Sequence, residues 1–184
     1  MTRVIKLGGS LLEASVLPAC LDVVERLDGR VLIVPGGGVF AEQVRIAQNI
    51  WRFDDVAAHR MAILAMRQMA LLFNSLKPNF ALFETAVVPE GLPRIAIWSP
   101  RVDELDNAGI EASWDITSDS LAAWLAGRMR AVELVLVKSA AVDIGATLAE
   151  LQRQGIVDAA FNRYAERLSC QITVINKDRF LSGA

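Results

Sequence analysis

At 184 residues and a formal net charge of -2, with a pI near 5.5, the chain is long enough for one well-buried domain and has no surplus positive charge for a phosphate backbone, which argues against nucleic acid as its main partner. Hydrophobic residues make up 53% of it, yet charged residues are expected to break every apolar run short of the roughly 18 to 20 residues of a membrane span, so no membrane partner is expected. Lys6 and the following glycines interrupt the place where a signal peptide would be continuously apolar, and the expected location is cytoplasmic. Cys20 and Cys170 have neither metal-ligand nor CxxC spacing, and a disulfide is not expected in that compartment. The high apolar content suggests a homo-oligomer.

VIKL at 4–7 and VLIVP at 31–35 are apolar runs without alternation, as in strands buried on both faces of a parallel sheet. Between them Pro18 to Leu27 has helical periodicity and ends at Asp28-Gly29. A glycine loop at 36–38 leads into a helix through Val44 to Asn49, and Asp54-Asp55 caps a long helix to about Leu76, stopped by Pro78. Strands follow at 80–88 and Arg94 to Trp98, then a proline-marked loop and a short acidic segment. Thr117 to Asp119 offers N-cap residues for a helix through Gly127. ELVLVK at 133–138 is a buried strand, Thr147 to Gln154 and Asp158 to Leu168 read as helices, and QITVIN at 171–176 is the last strand. This alternation predicts a three-layer α/β/α sandwich with a mostly parallel central sheet, in a single domain spanning 1–184. Ligands of such sheets sit outside the carboxyl ends of the strands.

Three strand ends carry unusual chemistry. In KLGGS, Gly8 and Gly9 permit close backbone approach to an anion, and Lys6 can place an ammonium on the same phosphates; the plain alternative is a tight turn with Lys6 on an edge strand. In VPGGGVF, Gly36, Gly37 and Gly38 precede a helix N-terminus, which makes either a second anion or substrate cradle or a flexible turn. In DITSDSLAAWLA, Thr117, Ser118 and Asp119 either cap the helix or supply a carboxylate that orients lysines. A further segment, VKSAAVDIG at 137–145, ends a strand in a lysine and continues to Asp143 and Gly145 as a candidate nucleotide loop. Neither GxGxxG nor GxxxxGK[ST] occurs, which disfavours dinucleotide enzymes and P-loop kinases. Only four of the nineteen basic residues are lysines, and two of those four, Lys6 and Lys138, end strands.

The ordered set KLGGS, PGGG, TSDSLA and a V-D-x-G turn resembles the amino acid kinase family, the carbamate-kinase-like fold, over nearly the whole chain. The resemblance implies that Lys6 stabilises the transferred phosphoryl group, Gly8, Gly9 and Ser10 form the phosphate loop, and Gly36, Gly37 and Gly38 hold the phosphoryl acceptor. It further implies that Asp119 organises the catalytic lysines, that Asp143 lies near the nucleotide, and that ATP and Mg2+ are used, with no residue assigned as a metal ligand. Many members carry a second lysine after the V-D-x-G turn. LQRQGIVDAAFNRYA has none. Lys138 is the expected substitute, with Arg153 or Arg163 behind it; as an alternative, Lys138 simply caps a strand.

Residues 51–70, WRFDDVAAHRMAILAMRQMA, resemble small kinases of methanofuran biosynthesis, whose acceptor is a small phosphorylated molecule, [5-(aminomethyl)furan-3-yl]methyl phosphate. On this reading Arg45 binds the acceptor phosphate, and His59 either faces the acceptor or is structural. Asp54 or Asp55 either pairs with an acceptor amine or caps the helix. The competing readings are a uridylate or other small-molecule kinase of the family, and a nucleotide-binding subunit without activity.

Overall fold

A computed structural model describes residues 1–13, 15–87 and 90–183. In chain order it contains β1 (Thr2–Leu7), α1 (Ser10–Glu13), α2 (Leu17–Arg26), β2 (Arg30–Pro35), α3 (Gly38–Trp51), α4 (Asp55–Leu76), β3 (Ala81–Phe83), β4 (Ile95–Trp98), α5 (Val102–Asn107), α6 (Ser118–Arg128), β5 (Glu133–Lys138), α7 (Leu148–Arg153), α8 (Phe161–Ala165), β6 (Gln171–Asn176) and α9 (Lys177–Ser182). The strands form one sheet in the order β3-β4-β2-β1-β5-β6, and every pairing is parallel. The expected α/β sandwich is therefore present, with helices on both faces. Strand β3 is shorter than the 80–88 read from sequence, and Val88 and Pro89 lie outside the described residues.

Apolar side chains divide between the two faces because successive strand residues point in opposite directions. Val4 of β1 and Leu134 and Leu136 of β5 belong to the core shared with α6 and α8. Ile5 and Leu7, with Val135 and Val137, join the opposite core against α2 and α9. Period two thus puts Lys6 on the face of Val4, and Lys138 on the face of Leu134 and Leu136. Strands β1 and β5 are neighbours, with Lys6 level with Leu136 and Leu7 level with Val137. Both lysines consequently approach α6 from one end of one sheet face. Because β1 lies between β2 and β5, the reading of Lys6 as an edge-strand residue is excluded.

Helix α4 corrects one expectation. Its 22 residues are long and apolar enough, by length and composition, to cross a membrane. It contributes to both cores instead, burying Ile63 and Met66 in one and Met69, Ala70 and Phe73 in the other. Asp54 caps it, accepting the Ala57 N–H at 2.7 Å, whereas Asp55 accepts from Gln48 Nε2 at 2.8 Å. Cys20 and Cys170 are both free thiols.

Candidate active site

The two glycine segments lie back to back. A Cβ on Gly9 would stand 2.2 Å from Gly38 Cα, and one on Gly36 would stand 2.7 Å from the Gly9 nitrogen. No side chain fits at either contact, and Gly38 also adopts φ +56°, which disfavours any other residue. Helix α3 runs from Gly38, whose left-handed φ makes it the turn into the helix. The Gly8 N–H donates to the Val137 carbonyl at 3.3 Å and the Gly36 N–H to the Leu7 carbonyl at 2.9 Å. The expected amide cradle is thus narrower than KLGGS suggests, because the Gly8 N–H is spent on extending the sheet. Ser10 Oγ and Ser139 Oγ are 2.6 Å apart, which joins this loop to the end of β5.

At the centre of these loops Asp119 binds both lysines. Lys6 Nζ is 2.8 Å from Oδ1 and Lys138 Nζ 2.5 Å from Oδ2, and the three side chains are 7%, 12% and 5% exposed for Lys6, Lys138 and Asp119. The Lys138 contact is an aligned hydrogen bond, and the Lys6 contact is an ion pair. Burial alone would raise the Asp119 pKa, but the two ammonium groups overcome it and hold the carboxyl below its usual range. Lys138 is pushed down to about 8, first by burial and then by the charge of Lys6, against the pull of Asp119. Two buried lysines share the Asp119 carboxylate, and the Asp158 carboxylate acts on Lys138 as well.

Asp119 is free for this because another residue caps α6. Thr117 makes no side-chain cap of its own. Asp158 accepts the N–H of Thr117 at 2.9 Å, its Oγ1–H at 2.8 Å and the N–H of Ser120 at 3.0 Å, together with the Ser120 hydroxyl. The Asp158 N–H in turn donates to Asp119 Oδ2 at 3.3 Å. Sequence reasoning placed Asp158 at the start of its own helix and missed this role. Helix α8 in fact begins at Phe161, and the residues that Asp158 caps lie 38 to 41 positions earlier. No local signal could reveal the pairing.

Arg45 and His59 lie together beside the cluster, in a cavity that also involves Gly37, Ile63, Trp114 and Thr117. The Arg45 guanidinium sits 3.7 Å from the centre of the Trp114 ring, whose Nε1–H donates to Gln48 Oε1 at 2.7 Å. Trp114 is the second residue that sequence reasoning overlooked. Arg153 lines an outer cleft with Arg45 and Trp114, and Arg163 faces Glu111 at 3.6 Å; Lys138 is the cation that contacts Asp119. Asp143 is exposed and borders a different cleft, with Thr173, Asn176 and Arg179.

Solved structures share this architecture. A uridylate kinase from Archaeoglobus fulgidus superposes with a TM-score of 0.72 at 19% identity, covering 100% of this chain and 95% of that one. A UMP kinase from Ureaplasma parvum gives 0.69 at 16% identity, covering 98% and 92%. At such identities the likeness concerns the fold. A [5-(aminomethyl)furan-3-yl]methyl phosphate kinase from Methanocaldococcus jannaschii is 30% identical over 140 residues, 73% of this chain, and the chain spans 64% of that relative's length. The match to the amino acid kinase family model runs over residues 1–141, from β1 through the glycine loops and Asp119 to the loop beyond Lys138, and the chain accordingly belongs to the amino acid kinase family.

Proposed function

We propose that this protein is an ATP-dependent phosphotransferase that phosphorylates a small phosphomonoester, with [5-(aminomethyl)furan-3-yl]methyl phosphate as acceptor and its diphosphate as product. The observation that carries the reading is the buried Lys6–Asp119–Lys138 cluster beside two interlocked glycine segments. Phosphoryl transfer needs positioning and stabilisation of charge on the transferred group more than a side-chain nucleophile. Lys6 and Lys138 are the cations for that group in this reading, Asp119 holds them apart and in place, and Gly8, Gly9 and Ser10 border the phosphates. Gly36, Gly37 and Gly38 back the acceptor, Arg45 meets its phosphate, and Asp143 approaches the nucleotide. The second cation that LQRQGIVDAAFNRYA lacks is supplied from β5, which favours an active kinase over an inactive binding subunit.

Mg2+ in this reading arrives on the nucleotide phosphates, as suits an ion that retains water and binds few protein ligands. The choice of acceptor rests on the Methanocaldococcus jannaschii relative, whose name states that substrate. A homo-oligomer completes the proposal. Ile50 and Trp51 of α3 and Leu64 and Leu71 of α4 are 65%, 77%, 50% and 60% exposed, a surface suited to a second subunit; light scattering reads the mass.

The test is an ATP assay with Mg2+ and a panel of acceptors: the aminomethylfuran phosphate, UMP, isopentenyl phosphate and acetylglutamate, with products followed by phosphorus NMR. The expected result is a diphosphate from the furan phosphate. Turnover of UMP alone would replace the acceptor, and ATP binding without transfer to any acceptor would overturn the catalytic reading.

A further inference from the structure

The charges at the centre of the site already balance. Lys6 and Lys138 face Asp119, and Asp158 stands next to them with its N–H on Asp119 Oδ2. A phosphorylated acceptor brings about two negative charges of its own to the γ-phosphate of ATP, and offsetting that repulsion takes further cations. Beside the cluster lies the outer cleft, of about 610 Å³ against about 70 Å³ for the inner cavity, so it is the roomier place for a tetrahedral dianion. Thr117 and Asp158 line it, which brings it up to Asp119, and Arg45 and Arg153 are its two cations.

Neither arginine is spent on an internal partner: the ion pairs among the described residues leave both out. Asp158 is the one acid among the described residues that line the cleft, and its carboxylate is occupied by Thr117 and Ser120. Glu150, one turn before Arg153, is taken by the N–H and hydroxyl of Thr147, each at 2.8 Å. Arg45 is already oriented. Its guanidinium rests on Trp114, and Trp114 is tied to Gln48, whose Nε2 donates to Asp55 Oδ1 at 2.8 Å. A guanidinium that stacks by its face keeps its N–H edge for an anion held by two parallel hydrogen bonds. We infer that Arg153 is an acceptor-binding residue that completes a two-arginine clamp with Arg45, the pair taking the phosphate dianion of the acceptor in the outer cleft. The inference rests on the reading of the site as a kinase of a phosphomonoester and deepens it. The clamp selects a phosphorylated acceptor over the corresponding free alcohol, and Arg153 serves the acceptor, not the γ-phosphate of ATP.

Calorimetry on the nucleotide-free protein tests the clamp with benzyl phosphate, a phosphomonoester on a planar apolar body, and with benzyl alcohol as its uncharged counterpart. Benzyl phosphate is expected to bind about ten times more tightly than the alcohol, or better, and Arg153→Gln to weaken it by about tenfold or more, the effect of losing charge-assisted hydrogen bonds. Arg153 is exposed, so the substitution leaves the fold intact. Arg167→Gln, which removes an exposed arginine outside the cleft, is expected to leave binding unchanged. In turnover, Arg153→Gln is expected to raise KM for the aminomethylfuran phosphate by about tenfold while KM for ATP stays unchanged. Wild-type protein that does not bind benzyl phosphate, binding by Arg153→Gln within threefold of wild type, an equal loss in Arg167→Gln, or a rise in KM for ATP instead of the acceptor overturns the inference. Because fragment binding needs no phosphoryl transfer, absent turnover with fragment binding that depends on Arg153 refutes the kinase reading alone. Turnover of the acceptor with a KM indifferent to Arg153 refutes this inference alone.

Discussion

Replacing Lys138 with methionine separates the catalytic and structural consequences of the cluster. Lys138 titrates near 8 instead of 10.5, and each tenfold change in proton affinity is worth about 1.4 kcal/mol, so keeping it charged in the folded protein at pH 7 costs about 3 kcal/mol. Methionine removes that cost and leaves Lys6 and Asp119 as a matched pair of opposite charges. For a chain of this size about 1 kcal/mol moves Tm by about 2 to 4 °C, so Lys138→Met is expected to melt about 6 to 12 °C higher at pH 7. The sign follows from linkage: a lysine whose folded pKa is depressed penalises folding below that pKa, and the penalty fades as pH rises from 8 toward 10.5. The stability gain should therefore disappear over the same range. Turnover should fall by about two to three orders of magnitude, the effect of removing one preorganised stabilising group from a transition state. Calorimetry at pH 7 and pH 10, paired with the ATP assay, reads both. Turnover within tenfold of wild type, or a Tm at pH 7 no higher than wild type, refutes the reasoning.

The opposite substitution, Asp119→Asn, leaves two buried ammonium groups without a carboxylate and should cost about 3 to 5 kcal/mol in chemical denaturation, together with activity. In wild type, kcat/KM is expected to decline above pH 8 as Lys138 of the free enzyme loses its proton; the decline should be absent from Lys138→Met, and a flat wild-type profile to pH 9.5 would count against the role given to Lys138. Gly9→Ala should lower Tm by several degrees or prevent folding, because Gly38 Cα stands 2.2 Å from the new Cβ, whereas Gly8→Ala, with its closest contact at 3.3 Å, should be far milder. Asp158→Ala removes the cap of α6 and should cost about 2 kcal/mol, at the upper end for a cap because backbone and hydroxyl donors are lost together; thermal melting followed by circular dichroism measures it.

Where sequence and structure agree, the physical signal was local. ELVLVK and VLIVP are strands because apolar residues at consecutive positions satisfy both faces of a parallel sheet, and Asp54 caps α4 because its partner is three residues away. The convergence of Lys6 and Lys138 was half legible. Each ends a strand, but that both face α6 depends on β1 and β5 being neighbours, and the pairing of distant strands is not encoded in either segment. Helices α1 and α9, of four and six residues, are too short to display a period and went unread. The roles of Asp158 and Trp114 depend on contacts with segments 38 to 66 residues away, so composition around them gives no indication.

The start of α6 shows how Asp119 is left for the lysines. A helix N-terminus needs an acceptor for its exposed N–H groups, and Asp119, in the first turn, is the obvious local candidate. Used there, it could not also bridge Lys6 and Lys138. The segment around Gly155 to Phe161 resolves the conflict by delivering Asp158 to the helix start, which leaves Asp119 to the lysines while the helix dipole still favours its ionised form. In the proposed reading the second cation is Lys138 of β5, a central strand whose backbone is fixed by pairing on both sides. A lysine on a loop would have to be ordered on substrate binding, at a cost in side-chain and backbone entropy. Lys138 is held by the sheet and by Asp119 before any substrate arrives, so on the proposed reading the second charge sits on a more rigid element than a loop.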